Sequence, residues 1–210
     1  MIRLRVDPIQ LLPDDLLQAA GVLARGGVVA YPTDTLYGLA VDPAQTSAVE
    51  ALFRIKARQA GHAIPLVAAD LTQVERVGRM TALASELALR FWPGPLTLVI
   101  EARPGIPDAV QAGTGHVAIR IPDHRLARAL AEAAGCALTS TSANRSGDPP
   151  PSTGDEVAST LGDHVDLLLD GGPSPGGLPS TIVDATGDEP LLLRPGAVGW
   201  DRVLESLRRR

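Results

Sequence analysis

Short apolar runs and helical stretches alternate along the whole 210-residue chain with no break in composition. A chain of that pattern must bury its strands between layers of helix, which confines it to an α/β architecture. The helix signals are explicit. Residues 14–25 carry leucine and alanine at helical spacing and stop at Gly26-Gly27. Ser47 with Glu50 reads as a capping box for a helix running to Lys56, and Thr153 with Glu156 repeats the device before a helix to about Leu161. Asp70, Thr81 and Asp123 are the expected caps of further helices, and a short last helix starts at Trp200. Strands are expected over residues 27–31, 64–68, 96–101, 117–121, 136–141, 165–169, 181–185 and 191–194. Few helices separate the late strands, so the sheet should be mixed rather than purely parallel. The expectation is a single α/β domain over residues 1–210, built around one twisted, open, mostly mixed sheet.

Composition excludes several function classes. Aromatic residues make up only 3% of the chain, too few for a single-strand nucleic-acid platform of stacked rings. The net charge of −5 argues against a bulk electrostatic grip on RNA or DNA. Cys136 is the only cysteine, so no disulfide framework or cysteine-zinc cluster can form within one chain, and its apolar setting suggests a small core residue. The N-terminus has no apolar signal segment, and no uninterrupted apolar run approaches membrane-spanning length. A cytoplasmic protein with no membrane contact is therefore expected. Arg208-Arg209-Arg210 at the end of the last helix reads as a solvated, dipole-complementing tail in preference to a tRNA contact.

Several motif matches fail on chemistry. Gly172-Pro173-Ser174-Pro175-Gly176 fits the nucleophile-elbow string, but Pro175 has no N–H to offer an oxyanion. Gly113-Thr114-Gly115-His116-Val117-Ala118 fits the dinucleotide fingerprint, yet a strand follows it rather than a helix. The histidines at 62, 116, 124 and 164 show no ligand pairing at helical spacing, and no metal site made of protein side chains is expected.

Four polar segments remain, each at or beside a strand end, where ligand sites of open α/β sheets collect. They are Tyr31 to Gly38, Lys56-Ala57-Arg58, Arg120, and Ser140 to Gly147. Lys56 is the only lysine in a chain with 18 arginines (19 basic residues less one). A compact ammonium has been kept where a planar guanidinium was the habit, and an ammonium fits between phosphate oxygens. The alternative is a solvated helix end carrying Arg54, Lys56 and Arg58. Arg120 lies in an otherwise apolar strand, where a charge needs an anion; a core carboxylate is the alternative to a ligand. The Ser140 to Gly147 segment crowds hydroxyls and an amide at a strand end, although a plain Asx/Ser turn reads the same way. Together the segments offer a polyphosphate site at Lys56 and Arg58 and a small-carboxylate site at Arg120. No Ser-His-Asp, Cys-His or paired-carboxylate machinery is visible. The residues alone point to an enzyme that joins a small acid to a nucleotide by positioning and charge neutralisation.

The chain also resembles the YrdC-type threonylcarbamoyl-adenylate synthases, which start the threonylcarbamoyl-adenosine modification of tRNA. The resemblance rests on YPTDTLYGLAVDP from Tyr31, KAR at Lys56, FWPGPLTLVI from Phe91, AGTGHVAIRIPDH from Ala112, LTSTSANRSG from Leu138, PSTIVDATG from Pro179 and LLLRPGA from Leu191. These run in family order over nearly the whole chain. The resemblance implies a concave, basic active-site face on a twisted α/β sheet. It implies that Lys56 and Arg58 hold ATP phosphates and act in catalysis, that Ser142, Asn144 and Arg194 belong to the ATP site, and that the loop around His116 lies near it. It implies that Thr33, Arg120, Ser140 and Ser180 line an L-threonine site. The expected substrates are L-threonine, bicarbonate or CO₂, and ATP with Mg²⁺; the expected client is a downstream tRNA threonylcarbamoyl-transferase complex, with at most weak tRNA contact. The chain ends soon after LRPG and so resembles the form without a C-terminal extension. Two departures stand out. Gln59 replaces the family's usual proline, and residues 60–64 lengthen the loop before Pro65. Ala68-Ala69 stands where many members carry a histidine, for which His62 is a candidate substitute. The alternative readings are an RNA-binding module of the same fold without this chemistry, and a carbamoyl-adenylate domain of hydrogenase-maturation type.

Overall fold

The computed structural model describes residues 1–57 and 63–208. Strands β1 (Ile2–Arg5), β2 (Val29–Tyr31), β3 (Gly38–Ala40), β9 (Thr141–Ser142) and β10 (Leu167–Asp170) form one sheet, in the order β1-β10-β2-β3-β9. A second, seven-stranded sheet runs β12 (Leu191–Arg194), β11 (Thr181–Asp184), β6 (Leu96–Ala102), β7 (His116–Arg120), β4 (Leu66–Val67), β8 (Leu138–Thr139), with β5 (Gly78–Arg79) also paired to β6. Both sheets are mixed: β1/β10, β10/β2, β11/β6 and β4/β7 are parallel pairs, and the remaining pairs are antiparallel.

The helices are α1 (Pro13–Ala24), α2 (Thr46–Lys56), α3 (Leu71–Val77), α4 (Ala82–Phe91), α5 (Asp108–Gln111), α6 (Arg125–Ala134), α7 (Gly154–Leu161) and α8 (Trp200–Arg208). Three apolar cores follow from strand alternation. Val29, Tyr31, Leu167 and Leu169 pack against α1 and α6, whereas Ala30 and Leu168, one residue out of phase, pack against α2 and α7. The five-stranded sheet is thus covered on both faces, which is why its strands read as unbroken apolar runs. In the seven-stranded sheet Leu96, Leu98, Ile100, Val117, Ile119 and Val183 face α3, α4 and α8. The opposite face carries Thr97, Arg120, Ile182 and Arg194, brought into one row by the registers Leu98↔Ile119, Ile182↔Thr97 and Ile182↔Arg194. Among the described residues no helix is long and apolar enough to cross a membrane.

Four expectations need correction. Among the described residues the strands form two sheets, not one. The run expected as one strand over 136–141 divides: residues 138–139 pair in the large sheet and 141–142 in the small one, with Ser140 between them. The Thr139 hydroxyl holds the junction, since Thr139 Oγ1 accepts from Val41 N–H at 2.9 Å. The Ser47/Glu50 box does not form: α2 begins at Thr46, and its cap residue Gln45 instead donates from its side chain to the Leu23 and Ala24 carbonyls. Asp123 does not cap α6; His124 does, through Nδ1, which accepts from Ala127 N–H at 3.4 Å. The other expected caps, Asp70, Thr81 and the Thr153/Glu156 box, form as read. Cys136 is half-buried at the edge of a core, and burial pushes its thiol up to about 11.

Candidate active site

A cleft of about 380 Å³ opens where the two sheets meet. It lies within the usual size range of small-molecule sites, roughly 300–1,000 Å³. Lys56, Thr33, Arg120, Ser140, Ser142, Asn144, Ser180 and Arg194 all line it.

One end is built by the C-terminus of α2 and the loop after β9. Lys56 is the last residue of its helix and is buried. Its Nζ donates to the Ser142 carbonyl and to Asn144 Oδ1, both at 2.7 Å, and lies 3.3 Å from Ser142 Oγ. Ser142 Oγ donates to Asn144 Oδ1, and Asn144 Nδ2 donates to the Asp148 carbonyl, each at 2.5 Å. The helix terminus is tied to the same loop by Ser146 N–H, which donates to the Lys56 carbonyl at 2.9 Å. An ammonium, a hydroxyl and an amide therefore converge on one point, the chemistry that receives phosphate oxygens. The solvated-helix-end alternative for Lys56 does not hold. Arg58 and His62 lie outside the described residues.

The other end is built by the Thr33 to Leu36 turn and the row of residues across the large sheet. The turn is local: Thr33 Oγ1 donates to the Leu36 carbonyl at 2.7 Å and accepts from Thr35 N–H at 3.1 Å. Arg120 Nη1 donates to Asp34 Oδ1 at 2.5 Å, and Nη2 reaches Thr33 Oγ1 at 3.3 Å. Arg120 thus has the core carboxylate that was the alternative to a ligand, and it also lines the cleft. Across from it, Ser180 Oγ and Thr97 Oγ1 are 2.8 Å apart, and Arg194 Nη2 donates to the Ser180 carbonyl at 2.7 Å. Arg194 can come so close because Gly196 has no side chain. A Cβ there would stand 2.3 Å from the Pro179 carbonyl oxygen, so the chain after Arg194 crosses directly over the Pro179-Ser180 backbone. Burial, and next the nearby charge of Arg120, hold the Arg194 guanidinium below its usual range.

Gly38 admits the ring of Tyr31 in the same way, at 3.3 Å from a would-be Cβ. The Tyr31 hydroxyl is fully buried and makes no hydrogen bond of ordinary geometry, although Ser140 is near. Burial pushes it up to about 12, against the opposing effects of Ser140 and Arg120.

Two expected placements come out differently: Arg194, expected with Ser142 and Asn144 at the ATP site, stands instead beside Ser180 at the Arg120 end, and His116 lies away from both ends. It stands at the start of β7, four residues before Arg120, or roughly 13 Å along the strand, and it does not line the cleft. Its expected place beside the nucleotide is therefore not carried by this geometry. Ala68 and Ala69 do not line the cleft either. Thr97 and Ile182 line it without having been singled out, and Thr35 lines it from within the Tyr31 to Gly38 segment. Thr97 had a signal in the sequence, a hydroxyl inside the apolar run Leu96 to Ile100. Asp34 had none beyond its place in a polar loop.

The family model for the Sua5/YciO/YrdC group, described as "Telomere recombination", matches residues 21–196. The threonylcarbamoyl-AMP synthase of Bacillus subtilis (strain 168) is 37% identical over 199 residues, 94% of this chain and 58% of that protein. The threonylcarbamoyl-AMP synthase of Thiobacillus denitrificans is 40% identical over 167 residues, covering 79% of this chain and 88% of the relative. The crystal structure of Pyrococcus abyssi Sua5 complexed with L-threonine superimposes with a TM-score of 0.94 at 33% identity, covering 99% of this chain and 61% of that one. The chain thus spans less than two thirds of the Bacillus and Pyrococcus proteins and most of the Thiobacillus one.

Proposed function

The chain belongs to the Sua5/YciO/YrdC family, and from that premise we propose that it is an L-threonylcarbamoyladenylate synthase. It converts L-threonine, CO₂ or bicarbonate, and ATP into threonylcarbamoyl-AMP and pyrophosphate. The observation that carries the reading is the division of one cleft into two polar ends, Lys56 with Ser142 and Asn144 at one, Arg120 with Thr33, Ser180 and Arg194 at the other. The first suits a triphosphate and the second a small carboxylate.

In the proposed reaction the threonine amine takes up CO₂, losing a proton and forming an N–C bond. A carbamate oxygen then attacks the α-phosphorus as the bond to the pyrophosphate oxygen breaks. The protein needs no nucleophile of its own. Lys56 follows the charge that develops on the leaving phosphates, and the Ser142/Asn144 loop orients them. Arg58 shares the phosphate role, and Ser140 stands at the junction of the two sheets between the two ends. Mg²⁺ supplies charge neutralisation when ATP carries it in. The oxygens at the phosphate end are a hydroxyl and an amide already engaged by Lys56, which fits a metal held chiefly by the nucleotide's own phosphates. Threonylcarbamoyl-AMP is a reactive mixed anhydride, so a cytoplasmic tRNA threonylcarbamoyl-transferase complex is the expected client.

The test is mass spectrometry of the protein with ATP, Mg²⁺, bicarbonate and L-threonine. The AMP-linked product should form only when threonine and a CO₂ source are both present. Equal pyrophosphate release without threonine would overturn the assignment.

A further inference from the structure

Two arginines face the small-acid end of the cleft with opposite electrostatic status. Arg120 is matched by Asp34 at 2.5 Å, and the side chains are only 6% and 9% exposed. Arg194 forms no ion pair among the described residues, and its Nε is buried without a hydrogen-bond partner. Asp34 itself does not line the cleft. It sits behind Arg120, in a separate hollow with Trp92, Pro93, Asp123 and His124. Its second oxygen accepts from Asp123 N–H at 3.1 Å, so one carboxylate ties the guanidinium to the backbone just ahead of α6.

We propose that Asp34 is a positioning and specificity residue for the small-acid end: it aims Arg120 into the cleft from behind and cancels its charge. Arg120 then offers directed N–H groups, and among the described residues at that end Arg194 alone supplies net positive charge. That combination suits one carboxylate. Two unmatched guanidiniums would instead favour a phosphate or pyrophosphate group, and the cleft must hold a triphosphate at its other end. Cancelling Arg120 keeps the polyphosphate from competing for the acid's place. The inference rests on the proposed function.

Asp34→Asn removes the charge and one of the two acceptor oxygens together, whereas Asp34→Glu keeps both. Asparagine keeps an acceptor at only one of the two positions that Oδ1 and Oδ2 serve, turns an NH₂ donor toward the donor at the other, and carries no charge. The Asn variant should raise KM for L-threonine by about tenfold or more while KM for ATP stays within about twofold. Inorganic pyrophosphate should become competitive against L-threonine in Asp34→Asn and not in Asp34→Glu. Calorimetric titration of L-threonine without ATP should show the same loss, and thermal melting verifies that each variant is folded. An unchanged KM for threonine, a parallel rise in both KM values, or an unaltered pyrophosphate pattern overturns this inference while leaving the proposed function standing. A parent protein that neither turns over nor binds L-threonine overturns both. If Asp34→Asn does not fold, Asp34→Ser, which also removes the charge, takes its place: pyrophosphate competing against L-threonine in it supports the proposal, and an unaltered pattern overturns it.

Discussion

At the residue scale, Lys56 shows how composition and geometry meet. A chain that uses arginine 18 times keeps one lysine, and that lysine is buried with its Nζ between the Ser142 carbonyl and Asn144 Oδ1. Three donors on one atom can point to three acceptors around it; a planar fork cannot contract onto that point. Lys56→Arg should therefore retain much of its ATP affinity and lose turnover. A displacement of about 1 Å at the phosphates costs on the order of 100-fold. Lys56→Ala should lose both. Steady-state kinetics on the two variants decides it, and a Lys56→Arg enzyme that turns over like the parent would make the lone lysine an accident of composition. The lysine, Ser142 and Asn144 were all legible as candidates, and all three line the cleft. That the serine and the asparagine hold the lysine was not, because the Lys56–Asn144 contact spans 88 positions of sequence.

Helix caps are where the element scale diverged from the reading. Asp123 is a better cap by type than His124, yet its N–H donates to Asp34 Oδ2, and the chain turns into α6 one residue later. His124 Nδ1 accepts a backbone N–H, which a protonated imidazole cannot do. Burial lowers the His124 pKa; Asp34 and Asp123 oppose the shift, and Arg128 and Arg120 add to it. A histidine depressed in the folded state binds fewer protons there than in the unfolded chain. Its contribution to stability is present above the ordinary value near 6.5 and is lost as pH falls through the folded value. The melting temperature should fall between about pH 7 and pH 5, and His124→Asn, a cap that does not titrate, should flatten that slope. A parallel slope in the variant would assign the acid sensitivity elsewhere. The strand read over 136–141 failed for a related reason. Leu138, Thr139 and Thr141 favour or tolerate strand locally, and only the second sheet, arriving through β3, takes Thr141 and Ser142 out of the first.

At the scale of the molecule, the cleft exists because the two sheets meet at Leu138–Ser142, and Thr139 is the strap. Thr139→Val keeps the shape and removes the oxygen that accepts Val41 N–H. Leaving that buried donor unsatisfied should cost about 1–3 kcal/mol. A loss of that size lowers the melting temperature by roughly 2–4 °C per kcal/mol. Denaturant titration and the activity assay should move together, because the hydroxyl stands beside Ser140 at the junction of the two ends. Stability lost with the cleft's kinetics unchanged would show the sheets to be held by other contacts. What the sequence by itself determined was the type of the longer elements (though not the short strands β1, β3 and β5 or helix α5), most caps, and which loops line the cleft. Periodicity, capping and residue type are local properties, written within a few positions. Only the tertiary structure decided that there are two sheets and that Asp34 stands behind Arg120. It brought Thr97 and Arg194 to Ser180 at the Arg120 end of the cleft and left His116 outside the cleft. Each of those facts depends on strand order and on partners such as Arg120–Asp34 and Thr97–Ser180, 86 and 83 positions apart, and no local pattern encodes which distant strand a given strand will pair with.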